Sequence, residues 1–272
     1  MENKITTVEG FFEHLPNIDE QSINPFFYRG QNKETGNILP SVFRDSQKDK
    51  EDNIYIETLT ECSHEFDRHM THIDILSKMQ HYGVPTRLLD ITTNPLVALF
   101  FACNSETEED GVVYVVNSSG KKVKTYDSDS VSILASLPRF SKKDKDTLRD
   151  LALKYSENEA VESFNNSDEV VKRLLHEVKK EKPAFEDIIN PSDLLSNFIV
   201  IPQKNNARII RQNGAFILFG LGSETVESNI IKIDANAKKS IKNELSRLGI
   251  SEATLFPELY KFGEYIKSKY KK

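Results

Sequence analysis

Cysteine is scarce in this chain: Cys62 and Cys103 are the two among 272 residues. Two cysteines cannot build a disulfide framework, and these form no CxxC metal or redox motif. Both read as small buried apolar residues in a reducing cytosol. Long apolar runs are missing as well: no stretch approaches 18 consecutive apolar residues, which excludes a membrane-spanning helix. The segment Met1-Glu-Asn-Lys-Ile-Thr-Thr7 lacks the apolar run of a secretory signal, so the protein reads as cytoplasmic. Neither GxGxxG nor GxxxxGK(S/T) occurs, which removes the usual dinucleotide and P-loop fingerprints, and no GxSxG elbow supports a serine hydrolase. Basic residues are outnumbered, 36 against 42 acidic, for a net charge of −6. That balance disfavours broad nucleic-acid binding while leaving room for a local basic pocket. The basic end, Lys267 to Lys272, reads as a solvated helix terminus beside the negative pole of its dipole.

What is present is an α+β pattern without internal repeats or low-complexity segments, long enough to bury a substantial core. Phe26-Phe-Tyr28 reads as a short buried strand ending at Arg29-Gly30. Between Asn53 and Met79, Ile56, Leu59, Cys62, Phe66, Ile73 and Leu76 recur near helical spacing, predicting two helices. Asn94-Pro95 marks a helix start, since Asn caps and Pro suits the first turn, and the run Leu96 to Cys103 then reads as a helix buried nearly all round. Strands are expected at 111–116, 198–201, 207–210, 215–219 and 230–233, and helices at 237–248 and from Pro257 to about Lys269. Residues 127–190 are charged and helical in pattern, with Val170, Val171, Leu174, Leu175 and Val178 on one face. This region reads as a helical insert, peripheral to the sheet, within a single domain spanning 1–272. The strands are grouped rather than alternating with helices, so a mixed sheet flanked by helices is expected and a doubly wound one is not.

Two polar segments carry the candidate chemistry. Arg29 stands at the mouth of an apolar strand, its guanidinium suited to phosphate or carboxylate, and Gly30 would let a ligand approach the backbone. The competing reading pairs Arg29 with a structural carboxylate. The second segment, Gln80 to Thr92, places seven hydrogen-bonding side chains in thirteen positions just before a buried helix. Such groups must satisfy one another or a ligand. Arg87 and Asp90 would suit a self-satisfying pair, and His81 is the natural proton-transfer candidate. Gly83 and Pro85 interrupt any helix there. His64, Asp67, His69 and His72 form a candidate metal cluster by residue type; on one helix His64 would face about 140° away from His69, and no HExxH accompanies them, so no metal is expected.

The combination of Phe27-Tyr-Arg-Gly-Gln31, Gln80-His-Tyr-Gly-Val-Pro-Thr-Arg-Leu-Leu-Asp90 and Asn94-Pro-Leu-Val-Ala-Leu-Phe-Phe-Ala102 resembles the FRG domain family. Further matches are Ala207-Arg-Ile-Ile-Arg-Gln-Asn-Gly-Ala-Phe216 and the closing Leu248-Gly-Ile250 and Thr254-Leu-Phe-Pro257. A more distant likeness is to ADP-ribosyltransferases, whose aromatic-Arg-Gly strand is similar to Tyr28-Arg29-Gly30. Their Ser/Thr strand leading into a helix is similar to Asp90-Ile-Thr-Thr93 followed by Ala98-Leu-Phe-Phe101. The catalytic Glu of that family has no counterpart in Arg208-Ile-Ile-Arg-Gln212, where Gln212 stands and no Glu-x-Glu occurs.

These resemblances imply an ADP-ribosyltransferase-like core binding a nucleotide, NAD foremost, as substrate between the Arg29 strand and the His81–Asp90 turn. Arg29 would clamp phosphate beside Gly30, Gln31 and Gln212 would read polar edges with Thr92, Arg87 would hold phosphate or orient Asp90, and His81 or Asp90 would handle charge or protons. Glycosyl or ADP-ribosyl transfer, or NAD hydrolysis, is the implied chemistry, in the setting of a bacterial toxin or antiphage effector. The alternative is a binding module that recognises a protein or nucleotide signal without turnover, with the 127–190 helices as a partner surface.

Overall fold

The computed structural model describes residues 4–17, 26–36, 38–44, 47–104, 108–118, 123–156 and 160–270. The first three residues and the last two lysines, on which the signal and basic-tail readings partly rest, lie outside them. The strands are β1 (Phe26–Gln31), β2 (Leu88–Thr92), β3 (Gly111–Asn117), β4 (Val123–Thr125), β5 (Phe198–Ile201), β6 (Gly214–Leu218) and β7 (Asn229–Ile233). They form one seven-stranded mixed sheet in the order β4-β5-β6-β2-β1-β3-β7. The β4–β5 pair is parallel and the other pairs are antiparallel. The first helices are α1 (Val8–Glu13), α2 (Glu51–Glu61), α3 (His72–His81) and α4 (Pro95–Ala102). A second group is α5 (Asp129–Ser136), α6 (Lys142–Ser156), α7 (Val161–Asn165), α8 (Glu169–Glu181) and α9 (Pro191–Leu195). The last are α10 (Ala207–Arg211), α11 (Lys238–Arg247), α12 (Glu252–Leu255) and α13 (Leu259–Lys269).

The period of two along each strand sorts the sheet into faces. On one face Leu88, Phe216 and Leu218 pack against Val131, Leu134 and Leu174 of the second helix group. On the same face Tyr28, Val113 and Val115 pack against Val97 and Phe100 of α4 and Ile241 of α11. The opposite face, with Phe27, Leu89, Ile91 and Tyr114, is covered by Ile38 and Phe43 from the loop after β1 and by Phe219. One face is therefore roofed by two separate helix layers, and the boundary between them runs over the centre of the sheet.

Several expectations need correction. β1 continues through Arg29 and Gly30 to Gln31. Residues 207–211 form a helix, not a strand, because the Asn206 side chain caps it by accepting the Arg208 N–H at 2.7 Å, and Ile210 is left exposed. The three-residue β4 is too short to leave a periodic signature. Pro257 precedes α13 rather than opening it. In α2 the inward face carries Glu51 and Tyr55, while Ile56 and also Cys62, just past its end, are exposed. The 127–190 helices share a core with the sheet instead of lying peripheral to it: α8 buries Val170, Val171, Leu174, Leu175 and Val178 in the cluster that contains Leu88 and Phe216.

Arg87 is the largest correction. It is 1% exposed and does not pair with Asp90. Its Nε donates to Glu51 Oε1 at 2.8 Å, its Nη2 to Glu51 Oε2, and its Nη1 to the Phe219 carbonyl at 2.9 Å. Lys145 Nζ donates to Glu51 Oε2 at 2.8 Å. This buried triad ties α2, the start of β2, α6 and the chain beyond β6 at one point. Burial alone would push the Glu51 carboxyl up, but the Arg87 and Lys145 charges outweigh it and hold it at about 2. Its ionised form thus adds stability above the ordinary value of 4.5, and that contribution is lost as the pH falls through about 2. Glu51→Gln is expected to cost about 3–5 kcal/mol at neutral pH, since it strands two buried cations. Urea unfolding at a series of pH values should show wild type and variant converging over that acid window.

Candidate functional site

β1 and β2 lie side by side at the centre of the sheet yet share one register pair, Tyr28 with Thr92. By contrast β1 pairs with β3 along its whole length. A seam therefore opens between β1 and β2 beyond that pair. Arg29 fills it: Nη1 donates to the main-chain carbonyl of Asp90 at 2.7 Å, while Nε is buried with no partner among the described residues. Burial lowers the Arg29 pKa below the ordinary guanidinium value, Asp90 opposes this, and Arg44 adds to it. Since Thr92 faces Tyr28 across the register pair, Asp90 lies on the side of the sheet roofed by helices. Arg29 leaves its strand on the other side and reaches Asp90 through the backbone.

Gly30 has a packing role that the sequence reading missed. A Cβ there would lie 1.8 Å from the Ala98 carbonyl oxygen of α4, and one at Gly111 would lie 2.3 Å from that of Ala102. The two glycines let α4 press its backbone onto β1 and β3. The position of α4 follows from its start, where Asn94 Oδ1 accepts the Leu96 N–H at 3.0 Å. Thr92 shares in that turn: its Oγ1 accepts the Asn94 N–H at 3.0 Å and donates to the Gln212 carbonyl at 2.7 Å.

Above the seam, where the two helix layers part, lies a cleft of about 200 Å³ bounded by Tyr28, Arg29, Gly30, Thr92, Val97 and Phe101. A smaller hollow of about 60 Å³ adjoins it, bounded by Gln80, His81 and Asn206. Asp90, Ile91, Arg208 and Gln212 line both. Asp90 is exposed and held in place, because Gln80 Nε2 donates to its Oδ2 at 2.9 Å. The Gln80 amide is itself oriented, since its Oε1 accepts from Thr86 Oγ1 at 2.7 Å and its Nε2 also reaches the Leu88 carbonyl at 3.3 Å.

His81 is brought near Asp90, but its two ring nitrogens face protein groups, Nδ1 in a hydrogen bond and Nε2 beside a carboxylate. Asn206 Oδ1 is taken by its cap bond, so its Nδ2 donates to His81 Nδ1 at 3.3 Å, leaving the proton on Nε2. Nε2 lies 3.2 Å from Glu258 Oε1. Burial pushes the imidazole pKa down, Arg208 adds to that, and Glu258 and Asp90 pull it back. His81 is thus a neutral bracket between α3, the α10 cap and the segment before α13, rather than a ring with a free nitrogen in the cleft. Both Glu258 oxygens are buried without a hydrogen-bond partner among the described residues, so the approach of His81 Nε2 is a close contact rather than a hydrogen bond.

Of the residues singled out in the sequence, Arg29, Gly30, Asp90, Thr92 and Gln212 meet at the cleft and His81 at the adjoining hollow. Arg87 is withdrawn into the triad. Gln31 does not line the cleft, and its Oε1 accepts from Thr35 Oγ1 at 2.8 Å. The Gln212 amide donates to the Leu255 carbonyl at 3.1 Å. Asn206, Arg208 and Glu258 were missed. Reading 207–210 as a strand hid the first two, and Glu258 carried no signal beyond its place after Pro257. The histidine reading also fails as one helix face: His64 is in a 3-10 turn, His69 lies between elements, and His72 opens α3 with Nδ1 against Tyr55 Oη at 3.2 Å. Among the described residues no group of three or more His, Cys, Asp and Glu side chains is placed to hold a metal ion.

The packing account of Gly30 yields a direct test. Gly30→Ala is expected to cost about 3 kcal/mol, the upper part of the overpacking range, because the obstructing atoms are backbone. Gly214→Ala, whose Cβ would keep 3.6 Å from Ile209, is the control and should change stability by less than about 1 kcal/mol. Denaturant midpoints of the two variants decide it.

Comparison with known proteins adds one match. Residues 24–111 match the model of the FRG domain. No curated protein and no solved structure matches the chain. The matched span takes in the seam, the Gln80–Asp90 arrangement and α4, whereas Arg208, Gln212 and Glu258 lie outside it. The segment that builds the floor of the cleft is therefore similar to the FRG domain.

Proposed function

We propose that the cleft binds a nucleotide, NAD foremost, and that Asp90 acts on its N-glycosidic bond in hydrolysis or ADP-ribosyl transfer. The observation that carries this reading is Asp90 itself, an exposed carboxylate held by Gln80 on the floor of a cleft that Arg208 also lines. An unoriented surface carboxylate would need no such bracing. Preorganised charge of this kind is what stabilises a developing opposite charge without reorganisation. In NAD cleavage the bond between ribose C1′ and the nicotinamide nitrogen breaks, and the electron pair leaves with nicotinamide. The ribose is left with oxocarbenium character, beside which an anion is favourable. Addition of water then gives ADP-ribose and releases a proton; addition of an acceptor nucleophile gives the transferred product. A cleft of about 200 Å³ falls below the usual range for pockets that enclose a whole drug-sized ligand. It suits the ribose end of a dinucleotide, with the remainder lying toward solvent.

The second reading, a module that binds nucleotide without turnover, is favoured by the hydrogen bonds that His81 Nδ1 and Arg29 Nη1 make to protein groups and by the turn of His81 Nε2 toward Glu258. The two readings separate on one experiment: incubation with NAD, monitored for nicotinamide release alongside calorimetric binding. On the catalytic reading wild type releases nicotinamide, and Asp90→Asn lowers the rate about 10²–10³-fold. The fold should lose no more than about 1 kcal/mol, since one exposed hydrogen bond is altered. Binding without release by wild type would leave the module reading standing. Wild type that neither binds nor cleaves NAD would end both for this ligand. Arg29→Ala should behave differently, because its guanidinium closes the seam. It is expected to lower stability by about 1–3 kcal/mol by leaving the Asp90 carbonyl unpaired, seen as a reduced Tm before any ligand is added.

A further inference from the structure

A nucleotide brings phosphate into or beside the cleft, and the two arginines that sequence reading would assign to it are committed elsewhere. Arg87 spends its guanidinium on Glu51 and the Phe219 carbonyl, deep in the core. Arg29 is wedged in the seam against the Asp90 carbonyl. Arg211 bounds neither the cleft nor the hollow, and its Nη1 donates to the Thr254 carbonyl at 3.2 Å. Resting on the nucleotide reading above, we infer that Arg208 is the anion-binding group of this site and holds a phosphate of the ligand while Asp90 faces its ribose.

Three observations carry the assignment. Arg208 lines both the cleft and the adjoining hollow, and so stands beside whatever occupies either. Its guanidinium makes no hydrogen bond or ion pair with any described residue, although Asp90, Glu258 and His81 are close by. Its one contact of note is the face of Phe256, with the guanidinium carbon 5.0 Å from the ring centroid. That placement fixes the guanidinium by cation–π attraction without using its N–H groups. A planar fork so held presents its donors edge-on and already oriented, the geometry that pairs with two oxygens of a phosphate. The main chain beneath is equally set, since the Arg208 N–H is capped by Asn206 and Asn206 is braced against His81. Phe256 in turn stacks edge-on against Phe101 of α4, with centroids 6.0 Å apart, which joins the Arg208 wall to the opposite wall of the cleft. The competing role is packing alone: Arg208 would cover Phe256 with its stem and its charge would be solvated.

Calorimetry with the full chain and two probes distinguishes these. ADP-ribose carries the pyrophosphate; nicotinamide riboside offers the ribose end without any phosphate. Arg208→Gln is expected to weaken ADP-ribose about tenfold or more and to leave nicotinamide riboside within about twofold of wild type. Arg208→Lys keeps the charge and its attraction to the Phe256 ring but not the planar fork, and should recover part of the lost affinity while retaining the wild-type Tm. If Arg208→Gln binds ADP-ribose as wild type does, the assignment to Arg208 is wrong while the nucleotide reading stands. If both probes weaken equally and Tm drops in both variants, Arg208 is a packing residue and the inference is likewise overturned. If wild type binds neither probe, it is the nucleotide reading that fails and the inference falls with it.

Discussion

A sheet that parts at its centre must find partners for the backbone groups left without a neighbouring strand, and this requirement organises the whole site. Between β1 and β2 a single register pair is followed by a gap, and the Arg29 guanidinium takes the carbonyl that the gap exposes. An ordinary ladder at this place would have sealed the floor with strand-to-strand bonds. The seam instead leaves a polar floor beneath the line where two helix layers separate, and the cleft occupies that line. Each wall is tied to the floor by its own device. Gln80 reaches down from α3 to Asp90, Thr92 reaches across to the Gln212 carbonyl, and α4 lies directly on Gly30. The site is thus a property of how the sheet fails to close rather than of any one loop.

The arginines of the two sequence motifs illustrate how one residue type serves opposite ends. Arg87, three positions from Asp90, meets its carboxylate 36 residues upstream in Glu51, with Lys145 completing the set. Removing such ions from water is costly, and the arrangement survives because each guanidinium nitrogen of Arg87 finds an acceptor and its pairing with Glu51 is bidentate. Arg29 is satisfied only in part, with one N–H still lacking an acceptor. Arg208 bonds to no acceptor among the described residues and is positioned by an aromatic ring. From core to cleft the guanidinium donors pass from fully used to unused, the gradient expected if ligand contacts are made at the outer end.

Much of the frame was legible because it rests on local rules. Asn94-Pro95 marks the start of α4 through capping and proline geometry, and the apolar face of α8 is periodic enough to name each buried residue. The two-helix reading of 53–79 holds as α2 and α3, although the buried face of α2 is not the one that Ile56 suggested. What escaped depends on contacts between distant segments. The Arg87–Asp90 pairing was reasonable on spacing, but Arg87 lies on the approach to β2 and turns toward α2, a choice made by tertiary packing. The helix at 207–211 was obscured by its apolar pair Ile209-Ile210, and the signal that outweighed it was the Asn206 cap. With that segment taken for a strand, Arg208 had no reason to be counted. Asp90 and Gln212 were named from the sequence and do meet, although the Gln80 brace that gives Asp90 its orientation was not among the roles assigned.

The outer wall of the cleft has a temporal consequence. Leu255 fixes the Gln212 amide, Phe256 carries the Arg208 guanidinium and Glu258 faces His81, so one short stretch near the end of the described chain completes a site whose floor lies between Tyr28 and Thr92. Two of its contacts, Phe256 with Phe101 and Glu258 with His81, span more than 150 residues, and such contacts are late to form in a growing or refolding chain because the intervening loop must close first. A nascent polypeptide that has not yet released Phe256 from the ribosome can fold its seam and brace Asp90, but it lacks the ring on which Arg208 rests. The wall that carries Arg208 would therefore be completed only with the docking of this last segment, after the floor beneath it had formed.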